Sequence, residues 1–293
     1  MSDATSLDKL PGELVALAAT HYENFPVGSF LVPRRLRPHI HRIYAFARIA
    51  DDIADERRDA VALDAFREAF LAHRRGERSD LPLFVDLCAT IRELDLPEPL
   101  FLDLLDAFAQ DLRVHRYETD AQLFDYCRRS ADPVGRLVLR VFGHRDDRLD
   151  RLSDRICTGL QLLNHLQDIG SDLRERDRIY FPLADLERHG VREDDLRAPR
   201  ASPGVKALVR DWLDRTARML GEGWPLTLAV RGRLRYELRA IVGGAAGCVD
   251  AIRRADHDVL SAHRGLRGLR RITVLLRSLL RRAPPPALTM LAE

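Results

Sequence analysis

The sequence predicts an all-α fold, and three observations carry that expectation. Apolar residues recur at three- and four-residue spacing along most of the chain, as over 39–56, where Ile40, Ile43, Tyr44, Ala47 and Ala50 share one face. No stretch alternates apolar and polar residues between turn signals, which is what strands would require. Proline marks the borders of several of these segments, as at Pro38, Pro97, Pro182 and Pro225.

Taken in order, a first helix is expected over 7–20, followed by the aromatic loop His21-Tyr22-Glu23-Asn24-Phe25-Pro26-Val27-Gly28-Ser29. Pro33 and Pro38 lead into the helix over 39–56, and further helices follow over 60–75 and 82–94, separated by a polar turn at 76–80. Pro97 and Pro99 open a helix over 98–113, since proline is tolerated in a first turn. Thr119-Asp120-Ala121-Gln122 reads as a capping box with a helix behind it. Asp132-Pro133 precedes a helix over 133–143. The longest helix then runs from the polar stretch at 145–148 to about Leu173, and a charged loop, 174–182, ends at Pro182. Ser202-Pro203 caps a helix over 203–222 that Gly221, Gly223 and Pro225 stop, and a last long helix spans 227–260. Pro284-Pro285-Pro286 is read as the end of ordered structure. No repeat and no linker is visible. The expected organisation is therefore an N-terminal helix, 1–20, one helical domain, 21–282, and a flexible tail, 283–293.

The 293 residues, 46% of them hydrophobic, suffice for a sizeable core. Lys and Arg number 47 against 45 Asp and Glu, a net charge of +2, so the charge balance gives no support to a nucleic-acid partner. Cys88, Cys127, Cys157 and Cys248 lack metal-ligand spacing and are read as buried free thiols in a reducing cytoplasm. No signal peptide and no apolar run of transmembrane length is visible. The basic amphipathic stretch 264–282 has two readings, peripheral contact with an anionic membrane or a final helix packed on the bundle.

Two acidic stripes point to chemistry. Gln161, Asn164, Asp168 and Asp172 lie three or four residues apart, between the apolar residues Ile156, Leu160, Leu163 and Ile169. Asp51 and Asp55 repeat the four-residue spacing, with Arg48 and Tyr44 one and two turns earlier on the same face. Like charges at that spacing destabilise a helix by a few tenths of a kcal/mol per pair, and by more when turned inward. A divalent cation removes the cost, and hard carboxylate and amide oxygens suit Mg²⁺, which commonly completes its shell with water and substrate phosphates. Solvated faces paired to arginine are the alternative for each stripe alone; the two together favour metal. Arg178 and Tyr180 follow the second stripe, and Arg matches phosphate in a bidentate way. The small-residue run at 241–248 calls for a tight helix crossing or room for a bulky apolar ligand. No Gly-rich phosphate loop, G-x-S-x-G elbow or dinucleotide fingerprint is present, so neither NADPH nor ATP is expected in a standard site.

These residues resemble the squalene/phytoene synthase family over about residues 21–282. Tyr44 through Glu56 resembles the family's first aspartate-rich motif, and Gln161 through Asp172 its second. Arg178-Ile179-Tyr180-Phe181-Pro182 is similar to the arginine/tyrosine loop that follows, and Tyr126-Cys127 through Val134-Gly135 to its tyrosine-bearing stretch. The opening His21 to Val27 is similar to the family's bacterial hopanoid-pathway branch. Gln167 and Asp132 stand where the condensing members usually carry Arg and Gly. The resemblance implies a single-domain helical bundle of the isoprenoid-synthase type with a central cavity. It implies conversion of presqualene diphosphate and water to hydroxysqualene, with substrate from a presqualene diphosphate synthase and product passed to a flavin-dependent squalene reductase. It also implies several Mg²⁺ ions on Asp51, Asp55, Asn164, Asp168 and Asp172. The diphosphate would then meet His21, Arg48, Arg178, Tyr180 and Gln161, and Tyr126, Arg48 and Tyr44 would serve catalysis, Tyr126 beside the cation. The rival readings are a synthase condensing two farnesyl diphosphates and a non-catalytic lipid-binding or assembly factor of the same fold.

Overall fold

The computed structural model of the chain describes residues 32–77, 82–261 and 281–289. Among them the regular structure is helical. In order, the helices are α1 (Arg37–Asp55), α2 (Ala60–Arg74), α3 (Pro82–Glu93), α4 (Glu98–Asp111), α5 (Asp120–Ser130) and α6 (Asp132–Val141). There follow α7 (Asp147–Arg176), α8 (Leu183–Arg188), α9 (Glu193–Arg197), α10 (Pro203–Gly223), α11 (Leu226–Ala229) and α12 (Arg233–Arg254), then a 3₁₀ turn at Pro286–Leu288. The extended pairing among the described residues is one isolated parallel bridge, Arg116 with Ile179. The all-α class read from periodicity stands. The expected helix over 7–20, the loop carrying His21 and most of the basic stretch 264–282 lie outside the described residues.

By packing, the described residues fall into two compact units. One comprises the described residues of Met1–Arg113 with Leu137–His144, the other those of Val114–Arg136 with Arg145–Glu293. The chain passes between the units at 113/114, inside α6 at 136/137, and at 144/145. In the first unit, α1 packs with α2, α3 and α4 around a cluster of phenylalanines. Phe46 is the hub, its ring centroid 5.4 Å from Phe66, 5.0 Å from Phe70 and 5.4 Å from Phe101. Offset and edge-on aromatic contacts of this kind add about 0.5–1.5 kcal/mol per pair beyond the apolar area they bury.

In the second unit α7 lies against α10, and glycine sets how closely. A Cβ at Gly159 would come within 2.9 Å of the Leu220 side chain, and one at Gly223 within 2.5 Å of Ile156 and 3.0 Å of the Leu152 carbonyl. Trp212 and Trp224 complete this core, and the Trp212 indole donates to the buried Asp185 carboxylate at 2.9 Å. The expected capping box is present: Thr119 accepts from the Gln122 amide, and the Gln122 side chain accepts from Thr119 in return.

Four local expectations need correction. Helix α7 continues three residues beyond Leu173 and ends at Asp177, which takes a left-handed conformation with φ 53°. The expected helix over 227–260 is two helices, because Gly232 turns the chain at φ +66° before α12, and α12 ends at Arg254 ahead of left-handed Asp256 and His257. Helices α8 and α9 are too short for periodicity to reveal. Finally, the proline run does not end ordered structure. Proline presets the turn, Ala287 and Leu288 are buried, and Arg253 donates to the Ala287 carbonyl at 2.8 Å.

Candidate functional site

In the first unit the acidic motif occupies the C-terminal half of α1. Arg48 donates to Asp51 at 3.3 Å and to Asp52 at 2.6 Å, the i,i+3 and i,i+4 partners on its own helix. Asp52 is buried, whereas Tyr44, Arg48, Asp51 and Asp55 are each half-buried. Ile49, Ala50 and Ile53, on the opposite side of α1, are fully buried and fix its rotation. The sequence reading chose Asp51 and Asp55 and passed over Asp52, which sits one position off the four-residue spacing. Pairing of the stripe to arginine, the alternative to metal, is thus present at Arg48, which both Asp52 and Asp51 share.

The second acidic stripe runs along α7. Ile156, Leu163 and Ile169 are buried as expected, and Leu160 is half-buried. The stripe itself is graded: Asn164 is exposed, Gln161 and Asp168 are half-buried and Asp172 is buried. Arg176 lies 3.5 Å from Asp172. Past α7 the chain doubles back. The amides of Asp177 and Arg178 both donate to the Asp172 carbonyl, Arg178 at 3.1 Å, so the arginine loop starts from the stripe's last residue. Arg178 is not a solvated loop charge: it is 5% exposed and its guanidinium donates to the Tyr180 hydroxyl at 3.4 Å.

Tyr180 returns to α7 and stacks on His165, centroid to centroid 3.6 Å at 16°. Tyr126 from α5 and Tyr117 from the preceding segment close the group, at 5.5 and 6.0 Å from the Tyr180 ring. Burial, and next the charge of Arg178, push the His165 imidazole down to about 3, so it is neutral at physiological pH. Its Nε2 can then accept from the Gln161 amide nitrogen, 3.3 Å away. Three of the expected residues, Tyr126, Arg178 and Tyr180, are thus brought together, with Gln161 joined through His165. Tyr117 and His165 were missed. His165 carried a signal, since it lies four residues after Gln161; Tyr117 carried none.

Asp132, noted as a departure from the condensing members, starts α6 and is buried. It accepts from the Thr158 hydroxyl of α7 at 2.9 Å. Burial, reinforced by the neighbouring Asp154 carboxylate, pushes it up to about 7, against the opposing pull of Arg136 and Arg128. One turn on, Gly135 lets α6 meet α7: a Cβ there would be 2.3 Å from the Ser153 hydroxyl and 2.5 Å from the Cys157 sulfur. The cysteines are free thiols, Cys88 and Cys127 buried and Cys157 and Cys248 half-buried, which corrects the expectation of four buried ones. Burial pushes the Cys157 thiol up to about 12 and Cys127 up as well, so neither is a ready nucleophile. A tight crossing at the small-residue run is not seen at Gly244, where a Cβ would meet nothing within 4 Å.

The donor set has the chemistry for a hard cation. Each stripe offers carboxylate oxygens at helical spacing, and the second adds amide oxygens. Among the described residues, no three His, Cys, Asp or Glu side chains converge on one point. A donor set of paired carboxylates still suits an ion that binds through one or two carboxylates and substrate phosphates, and it does not suit a cage built from protein ligands alone.

The model of one family, squalene/phytoene synthase, matches residues 18–277. The chain belongs to the squalene/phytoene synthase family. It is 38% identical over 247 residues to a hydroxysqualene synthase of Zymomonas mobilis, covering 82% of this chain and 81% of that one. It is 37% identical over 236 residues to a hydroxysqualene synthase of Rhodopseudomonas palustris, covering 80% of each. Among solved structures it is similar to squalene synthase HpnC from Alicyclobacillus acidocaldarius, at 45% identity and a TM-score of 0.77, covering 84% of this chain and 93% of that one. The chain therefore has the isoprenoid-synthase fold and belongs among isoprenoid-processing enzymes. No described helix is long and apolar enough to cross a membrane.

Proposed function

We propose that this protein converts presqualene diphosphate and water to hydroxysqualene and inorganic diphosphate. The observation that carries the reading is the join between the acidic stripe and the arginine loop. Asp168 and Asp172 are followed at once by a buried Arg178 and a Tyr180 whose hydroxyl that arginine touches. A buried guanidinium on the loop that starts from the stripe's last residue suits a metal-chelated diphosphate better than a neutral ligand. The similarity to two hydroxysqualene synthases supports the choice of substrate.

In this reading Asp51 and Asp55 of α1, and Asn164, Asp168 and Asp172 of α7, hold Mg²⁺. The bound metal supplies Lewis-acid stabilisation of the departing diphosphate. Arg178 and Tyr180 would bind diphosphate oxygens, and Arg48 would serve the same chemistry at the first motif. The C–O bond breaks with both electrons leaving on diphosphate. The ring-opened carbocation lies against the Tyr126 face, where an aromatic quadrupole favours positive charge. Water oxygen then bonds to carbon and releases a proton, so no electrons are exchanged and no nicotinamide is required. A presqualene diphosphate synthase supplies the substrate and a flavin-dependent reductase consumes the alcohol.

Product analysis by mass spectrometry, with presqualene diphosphate and farnesyl diphosphate supplied separately with Mg²⁺, tests the reading. Hydroxysqualene from the first and no product from the second are expected. Consumption of farnesyl diphosphate alone would make the protein a condensing synthase. No turnover of either would favour a non-catalytic relative.

A further inference from the structure

We infer that Arg116 is a positioning residue: it clamps the segment between α7 and α9 so that Arg178 and Tyr180 are held at the end of the acidic stripe. The inference rests on the diphosphate reading given above. Arg116 lies outside every motif that identifies the family, in the segment between α4 and α5. Its guanidinium reaches both ends of the loop region. At the far end it makes a bidentate pair with Glu193, the first residue of α9, Nε to Oε1 and Nη2 to Oε2 both at 2.8 Å. At the near end Nη2 donates to the Asp177 carboxylate at 2.8 Å, and Nη1 donates to the Asp177 backbone carbonyl. Arg178 follows directly.

The backbone repeats the clamp. The Ile179 amide donates to the His115 carbonyl at 2.9 Å, and the Leu183 amide to the Tyr117 carbonyl at 2.8 Å. Residues 115–117 therefore form a short rail along which 179–183 is laid. Arg116 locks the rail in register from its side chain. The clamp meets the chain where α7 stops, at Asp177, whose left-handed φ of 53° is less favourable for a side-chain-bearing residue than for glycine, though aspartate tolerates it. Arg116 bonds both the side chain and the carbonyl of this residue. A fork of five fixed donors suits the task, and the point charge of lysine does not.

The test uses full-length protein and two readouts. Binding of inorganic pyrophosphate with Mg²⁺ is measured by calorimetry for wild type, Arg116→Gln, Arg116→Lys and Glu193→Gln. Amide hydrogen exchange is followed over 177–183 and, as a control, over α1. Arg116→Gln is expected to weaken pyrophosphate on the order of tenfold, the low end of what losing an orienting partner costs. Exchange should speed up at Ile179 and Leu183 and stay unchanged in α1. Lysine should not restore binding, and Glu193→Gln should give a smaller loss of the same kind. Unchanged pyrophosphate affinity with unchanged exchange at 177–183 overturns the inference, and so does a loss that extends equally to α1. If Arg116→Gln does not fold, Glu193→Gln decides by the same two readouts. Wild-type protein that binds no pyrophosphate would instead overturn the diphosphate reading, a result distinct from a clamp that makes no difference.

Discussion

The two aspartate-rich helices look alike in sequence and differ in what surrounds them. On α1 Arg48 pairs with Asp51 and Asp52 of its own helix, whose other face is buried in the phenylalanine core. On α7 Arg176 pairs with Asp172 from the same helix, and beyond the helix end a loop also folds back, burying Arg178 and stacking Tyr180 on His165. The first motif is neutralised locally, and its cation can be exchanged. The second is preassembled, with its cation and aromatic rings already desolvated. Placing a charge-stabilising group before the reaction costs nothing during it, so the α7 region is the better equipped for leaving-group chemistry.

Removing a carboxylate should break the comparison most sharply. Asp168→Ala should lower turnover of presqualene diphosphate by about 10²- to 10³-fold, the scale seen when one group stabilising a developing anion is lost. Helix content by circular dichroism should not change. If Asp51→Ala costs as much, the motifs are equal partners in chemistry despite their different surroundings. Phe70→Ala should act through stability alone, costing about 3–5 kcal/mol. The check is a denaturant titration in which the loss comes with an unchanged KM for whatever protein remains folded.

A smaller effect depends on pH and belongs to the α7 region. The folded-state pKa of Asp132 is raised from its ordinary 3.8 to about 7, first by burial and then by Asp154. A carboxyl raised in this way favours folding while protonated, so its stabilisation is full below 3.8 and is lost as pH rises through about 7. Wild type should therefore lose stability across that window. Asp132→Asn should flatten the dependence and be the more stable variant above it, as measured by thermal melts at a series of pH values. Smallest of all, Thr119→Ala should cost about 1 kcal/mol by removing the cap of α5, with no change in KM.

Helix positions were legible because burial imposes a period on sequence, and ten of the twelve described helices can be assigned to expected segments. The break before α12 was not, because one glycine inside a long apolar pattern is compatible with either a bend or a straight helix. The order of the 281–289 segment was not legible either, because a proline run signals the end of helix and says nothing about docking. Of the candidate site, spacing alone delivered Asp51, Asp55, Asp168 and Asp172, because each pair is set by the period of a single helix. Spacing could not reveal that Tyr117, Tyr126, His165 and Tyr180 form one aromatic group, since those contacts join residues up to 63 apart. It also gave no hint of Arg116, one arginine in a chain in which nearly every basic residue is arginine.

The central claim is that this protein breaks a carbon–oxygen bond to diphosphate and closes the reaction with water. The most direct measurement is turnover of presqualene diphosphate with Mg²⁺ in water enriched in heavy oxygen, without nicotinamide, with the product read by mass spectrometry. The account predicts an alcohol that carries one heavy oxygen drawn from solvent, released together with unlabelled inorganic diphosphate. An alcohol without the label, a hydrocarbon product, or an untouched substrate beside consumed farnesyl diphosphate would contradict it.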